Sequence, residues 1–378
     1  MTSPRRSPSS TGLTASQPAA DAGSRGLITG ALFKAARESA DLTQQDLADA
    51  LTADKTTVQA WETGRRPLTS ARTGTLVSLR YELLDLDADP TLVDSLDTAA
   101  QADYLLDRLL DGDPTDPRHP LALRVLPQPL ADLLAWPLNP APPRVVRAAH
   151  RPARRGPVAG GPMLTADQRR RLVANLRHAA EDPPRGERAS LVRRQVAYLA
   201  SFDRSPSTAR WLADLRRSVA WTQHAGRFSP SWAEARSVAI ALGRQGDPDA
   251  LARFVAAGRD DDAWETANLN YWAYWVGETR TVEHDDSFMG AGLGRWRGLD
   301  LLDHLTARLG PDADDLPLNI HTVWALLVAR RGLLDDDPGL AVALAGRIAV
   351  LLDSGLPPTI HSEADAIRTA LRLARVPA

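Results

Sequence analysis

Apolar residues recur along this chain at spacings of three and four, the period of a helix with one buried face. The first stripe begins at Leu27 and runs through Leu32, Phe33 and Ala36. Two short ones follow, Leu47, Ala48 and Leu51, then Val58 and Trp61. A longer one carries Leu76, Leu79, Leu83 and Leu86. The spacing persists at Leu92, Val93, Leu96, Tyr104, Leu105 and Leu109, and residues 120–138 are apolar and punctuated by proline. From Met163 onward, helical segments alternate with Pro, Gly and Asp. Their starts are predicted at Thr165, Gly186, Pro206, Ser229, Asp247, Asp261, Leu293, Pro317, Pro338 and Ser362. No alternating strand pattern of useful length appears, so the chain is predicted to be all-α.

The stretch 43–67 is organised more tightly than the rest. Thr43 suits the cap of a short helix, with Asp46 adding negative charge to the first turn. Leu47 and Leu51, four apart, point inward, and Ala48 is small where a second helix must cross. A turn at Thr52 and Ala53 leads to Asp54, a cap for a second helix whose Val58 and Trp61 face the core. Lys55, Thr56, Gln59 and Ala60 are then left outward. Lys reaches guanine O6 and N7, Thr reaches either polar edge or a thymine methyl, and Ala reaches that methyl. Thr57 suits a phosphate or a base edge. Gly64 is placed to end the helix in a left-handed conformation. Arg65 and Arg66 follow where a phosphate backbone would run. Two short helices, a tight turn and a basic exit are the wiring of a helix-turn-helix that lays its second helix in the major groove.

The stretch resembles the XRE family, the lambda-repressor-like helix-turn-helix regulators. The resemblance is carried by Thr43 and Gln44 with Leu47 and Ala48, then Thr57 and Val58 with Trp61 and Glu62, Gly64 and Pro67. It implies that Lys55, Thr56 and Ala60 contact bases and that Gln44, at the start of the first helix, holds a phosphate. Gln45 beside it joins the set facing double-stranded DNA. Trp61 reads as core, and Glu62 as paired with the exit loop or a neighbouring helix. The chain departs from the pattern at Thr52, Ala53 and Asp54, where the family usually has a glycine-containing turn. Further on, His119-Pro120, residues 135–138, residues 270–275 and residues 320–324 look like segments of large actinobacterial XRE regulators with a helical C-terminal half. That likeness implies architecture and no named signal.

Composition sets the domain plan. Residues 1–26 are rich in Ser, Pro, Ala, Thr and Gly and are expected to form a disordered tail. Residues 27–86 form the helix-turn-helix bundle and 87–138 an acidic helical extension. Residues 81–116 hold eleven carboxylates against the single Arg108, read as amphipathic helices with an acidic outer face. Residues 139–162, with six prolines, five arginines and no acid, read as an interdomain linker. Residues 163–378 are the second, all-helical domain, read as an array of stacked helical pairs of the tetratricopeptide kind. The formal net charge is −2, so any attraction to DNA must be local. Cysteine is absent, which removes disulfides, cysteine zinc sites and thiol nucleophiles and fits a cytoplasmic location. No apolar run spans a bilayer, and the N-terminus lacks the apolar core of a signal peptide.

Eight of the ten tryptophans lie between Trp211 and Trp324. On one helix, Trp264, Asn268, Tyr271 and Trp275 share a face, with Trp272 beside it; His321 and Trp324, three apart, can join them. Such residues either line a ligand pocket or fill gaps between stacked helices. The glycine-rich run 289–298 lacks the lysine of a phosphate-binding loop and reads as a flexible loop, or as a nest using Arg295 and Arg297. Glu283, His284, Asp285 and Asp286 read as solvated loop charge, with a metal site as the alternative. No enzyme signature, metal site or cofactor is expected. The sequence therefore points to a DNA-binding transcriptional regulator, a homodimer on a two-fold site, whose C-terminal half senses a small-molecule or protein effector. The rival is a helical protein-interaction scaffold with the N-terminal bundle as a localiser.

Overall fold

The computed structural model describes residues 25–149, 161–218, 228–259 and 261–374. The tail 1–24, with Arg5 and Arg6, and residues 150–160 of the stretch expected as a linker lie outside the described residues. Among the described residues there are nineteen α-helices and no strands.

The N-terminal bundle consists of α1 (Leu27–Ser39), α2 (Gln44–Ala50), α3 (Lys55–Glu62) and α4 (Thr73–Asp85), followed by α5 (Pro90–Asp94) and α6 (Leu96–Asp111). Phe33, Leu32, Leu47, Val58 and Leu83 are buried at its centre, where the Phe33 and Trp61 rings meet edge to face at 6.0 Å. Apolar burial of this kind contributes about 1.5–3 kcal/mol per large side chain. The sequence places α1 against the end of α3 through Gly30. A Cβ there would lie 2.4 Å from the Trp61 carbonyl, so only glycine allows the approach.

The acidic extension is part of this bundle. Asp103 on α6 accepts from the backbone N–H groups of Ile28 and Thr29 at 2.8 Å each and from the Thr29 hydroxyl at 2.5 Å. It thereby caps the open N-terminus of α1, whose own N-cap, Gly26, offers no side chain. Most acids of the stretch do face solvent, but Asp103 is buried, which corrects the reading of a uniformly acidic outer face.

After α7 (Gln128–Ala135) comes α8 (Arg144–Ala149), inside the segment expected as a linker. It packs on α5 and α1, and Val146 is buried in their core. The same core continues into α9 (Ala166–Glu181) and α10 (Glu187–Ala200) through Leu172, Leu176, Val192, Val196 and Leu199. The described part of the expected linker, with Val145, Val146 and Ala149, therefore belongs to this core. The proline count misled because Pro142 and Pro143 precede a helix rather than extend a linker, as proline favours helix starts.

The remaining helices are α11 (Pro206–Ser218), α12 (Pro230–Arg244), α13 (Pro248–Gly258), α14 (Asp262–Val276), α15 (Leu299–Thr306), α16 (Leu316–Ala329), α17 (Leu333–Asp336), α18 (Pro338–Asp353) and α19 (Pro358–Leu373). Thr165, Gly186, Ser229, Asp247 and Asp261 are N-cap residues as expected. Two starts differ. The helix expected from Leu293 begins at Leu299, after a left-handed Gly298, and the one expected from Ser362 begins at Pro358. Helix α10 packs on α9 and α12, α12 on α13, α14 on α16, and α19 on α16 and α18. A second core from Trp232 to Leu371 fills this array.

The two cores are joined by buried polar bonds. Arg194 on α10 makes a bidentate pair with Asp286 at 2.6–3.0 Å, with both side chains buried. Asp286 was expected as solvated loop charge, and the structure corrects this: a planar guanidinium matches a carboxylate fork where water is excluded. His284 in the same run touches the Leu123 carbonyl at 3.2 Å. In the glycine-rich run Arg295 and Arg297 are exposed, Trp296 is buried, and Arg330 lies 4.2 Å from its ring centroid. No helix among the described residues is long and apolar enough to cross a membrane.

Candidate nucleic-acid interface

Helices α2 and α3 and the turn between them adopt the expected arrangement. Thr43 and Asp46 form a reciprocal capping box at the start of α2, with bonds of 3.1 and 2.8 Å. The turn, expected to depart from the family's glycine-containing one, puts Thr52 at φ 51°, in the left-handed region. A β-branched residue is costly there, so the turn is kept at the expense of local strain. Gly64 has φ 72° and ends α3 as expected; a Cβ on it would lie 3.1 Å from the backbone of Gly26 and Leu27.

The angle between the two helices is held by a polar chain. Arg37, buried on α1, donates to Glu62 at 2.5 Å and to the Leu42 carbonyl at 2.5 Å. The other Glu62 oxygen accepts from the Gln44 amide at 2.6 Å, and the Gln44 carbonyl accepts from Gln59 at 3.1 Å. The chain joins α1, α2 and α3. Removing one partner of such a buried pair costs about 3–5 kcal/mol. Glu62 thus pairs with a neighbouring helix. Arg37 was not legible as a site residue; its only signal was a cation on the apolar face that carries Phe33 and Ala36.

The DNA-facing residues divide accordingly. Lys55 and Thr56 stand exposed in the first turn of α3, and Arg65 and Arg66 are exposed on the exit loop. Thr57, Gln59 and Ala60 are half-buried, and Gln59 reaches Gln44 on α2. Gln59 donates to Gln44 and Gln44 to Glu62, which makes both braces of the motif in this structure. Gln45 is exposed and bonds Asp49 one turn on at 2.8 Å. The Arg65 Nε donates to the Thr63 hydroxyl at 3.2 Å, which steers that side chain along the end of α3. No metal or cofactor is implied by these groups.

The aromatic residues of the C-terminal half do not form one pocket. Trp264 packs against Phe254, Trp232 and His321, with ring centroids 5.3–5.8 Å apart. Asn268 is fully buried, accepts from Arg236 at 3.2 Å and donates to Thr322 at 2.9 Å. His321 bonds Glu363 at 2.9 Å and meets the half-buried Trp324 at 5.8 Å. Those four residues are core. Tyr271, Trp272 and Trp275, further along α14, line a cavity instead. The shared helical face was read correctly, but its neighbours change along its length.

Residues 29–83 match a family of helix-turn-helix domains. The match covers α1 to α4 and leaves the rest of the chain unassigned. No curated protein and no solved structure matches the chain significantly.

Proposed function

We propose that this protein is a sequence-specific transcriptional regulator of the XRE type, with Lys55 and Thr56 as base readers and Arg65 and Arg66 as phosphate contacts. The observation that carries the proposal is the exposed first turn of α3 beside a basic exit loop, within a region that matches helix-turn-helix domains. Thr57 and Ala60 sit at the edge of that reading face, and Gln45 reaches the flanking backbone. The protein acts as a cytoplasmic homodimer. Support for a second copy is the exposed stripe Val77, Tyr81 and Leu84 on α4, three apolar residues along one helix face. A dimer presents two reading helices to a two-fold site. The C-terminal array, in stacked helical pairs, is the sensing half, and it shifts the population competent for DNA.

The test is selection of genomic fragments by the full-length protein, followed by binding titrations of the enriched site at several salt concentrations. One enriched palindromic motif is expected. Replacing Arg65 and Arg66 with Ala should weaken specific and non-specific DNA alike and lower the log-affinity against log-salt slope by up to about 2. Recovery of no motif, with weak and uniform binding, refutes the regulator and leaves the localiser.

A further inference from the structure

Between the two halves lies a cavity of about 380 Å³. One wall is the chain around α7 and α8, with Asp132, Asn139, Arg144 and Arg147. The other is built from α12 (Arg236, Ile240, Arg244), from α14 (Tyr271, Trp272, Trp275) and from His304 and Arg308. A second cleft of about 410 Å³ adjoins it and shares Ile240, Arg244 and Arg308. The volume falls in the range of small-molecule sites.

The chemistry of the lining is one-sided. Five arginines face two carboxylates, Asp132 and Asp315. Asp315 is bound to Arg308, and Asp132 accepts from Tyr198 at 3.1 Å and Gln128 at 3.2 Å. Arg144 pairs outside the cavity with Asp303 at 3.0 Å. Arg236 is 3% exposed and has no ion pair among the described residues. Its guanidinium lies between two rings, 4.3 Å from the Tyr271 centroid and 4.9 Å from that of Trp272. Its Nη2 has no hydrogen-bond partner, and neither has the Trp272 Nε1, the Arg308 Nε or the His304 Nε2. Arg and Trp nitrogens only donate. Burial pulls the Arg236 pKa down to about 10, which still leaves a cation at neutral pH. The Arg236 Nε donates to Asn268 at 3.2 Å, and the carboxylate whose field reaches it, Asp315, is already held by Arg308. A buried cation with no carboxylate paired to it is costly, and so is each unpaired buried donor.

We infer that this cavity binds a small organic anion with a flat apolar body, its charged head on Arg236 and its body against Trp272, Trp275 and Ile240. The head supplies missing acceptors and a directly paired counter-charge. The aromatic wall supplies stacking area. The site also has a mechanical connection. Arg144 and Arg147 belong to α8, and α8 packs on α1 and α5 of the DNA-facing half. An anion drawn between α8 and α12 therefore biases the seat of the bundle. This regulatory part rests on the proposal that the protein is a DNA-binding regulator; the binding itself does not.

The test uses the full-length protein and benzoate, phenyl phosphate and neutral benzamide, read by tryptophan fluorescence and thermal melting without DNA. At least one anion should bind at or below about 10 mM, a fragment-level affinity, and benzamide should not. Which anion wins assigns the head group. Arg236→Gln should weaken binding about tenfold or more. Ile240→Trp, which keeps the guanidinium and fills the space, should abolish it while the protein still melts cooperatively. Absence of anion binding, equal binding of benzamide, or wild-type binding by Ile240→Trp overturns the inference. A second titration measures affinity for the enriched DNA site with the anion present. Anion binding that leaves DNA affinity unchanged overturns the coupling. A protein that binds the anion but selects no DNA overturns the regulator and spares the cavity.

Discussion

At the residue scale, the reading helix depends on a few side chains whose surroundings differ sharply. Lys55 and Thr56 have no structural bonds in this motif and stand in solvent, so changing them should leave the fold intact. Lys55→Ala or Thr56→Ala should cost about 1–3 kcal/mol on the specific site and relax preference at one or two base positions. Competition titrations against singly substituted sites measure this, and unchanged discrimination in both variants refutes the assignment. Thr52 makes the opposite case, a residue that burdens the fold. It holds φ 51°, where Asn is far better tolerated. Thr52→Asn should stabilise by about 0.5–1 kcal/mol and raise the melting temperature by a few degrees. Thr52→Val, still β-branched, should not.

At the element scale, α6 determines how α1 is held. Asp103 satisfies the first N–H groups of α1, alone among the side chains of the described residues, and burial pushes its carboxyl up to about 6 despite three donors. The unfolded chain releases the same proton near 3.8. Between those values the folded form holds a proton that the unfolded form has lost. The contribution of Asp103 to stability should therefore fall as pH rises from about 4 to about 6 and level off above, by about 2–3 kcal/mol in total. Urea titrations across this range should show stability rising more steeply with pH in Asp103→Asn than in the wild type, the difference being the Asp103 contribution. An identical slope in the variant would refute that contribution. The buried histidines His119 and His304, both lowered from 6.5 to about 4 by burial, act in the opposite direction over the same range: the unfolded chain takes up their protons first, so their contribution is lost as pH falls from about 6.5 to about 4.

At the scale of the molecule, the N-terminal half does not end where the proline-rich stretch suggested. Helix α9 covers α6, with Asn175 donating to the Leu109 and Leu110 carbonyls at 3.0 Å each. A fragment ending at Asn139 bares that surface. It should melt broadly and well below the full-length protein, and it should bind a hydrophobic dye. A cooperative melt at the full-length temperature would show that the first core is complete without α9 and α10.

Local order was legible and long-range order was not. The helix-turn-helix, its capping box, Gly64 and five helix caps of the C-terminal half follow from residue type and spacing, because caps and periodic faces are set within one or two turns. The roles of Arg37, Asp103, Asp286 and Arg236 were hidden. Each is a charge that looks solvated in sequence and is buried by an element 25–92 residues away, or, for Arg236, by rings on α14. The aromatic face of α14 was visible, but whether a tryptophan on it met core or cavity depended on which helix lay opposite. The sequence by itself determined the class of the fold and the position of the reading helix, since both rest on local periodicity. Only the tertiary structure decided where the cores divide and where the cavity lies, since both depend on which distant surfaces exclude water from one another.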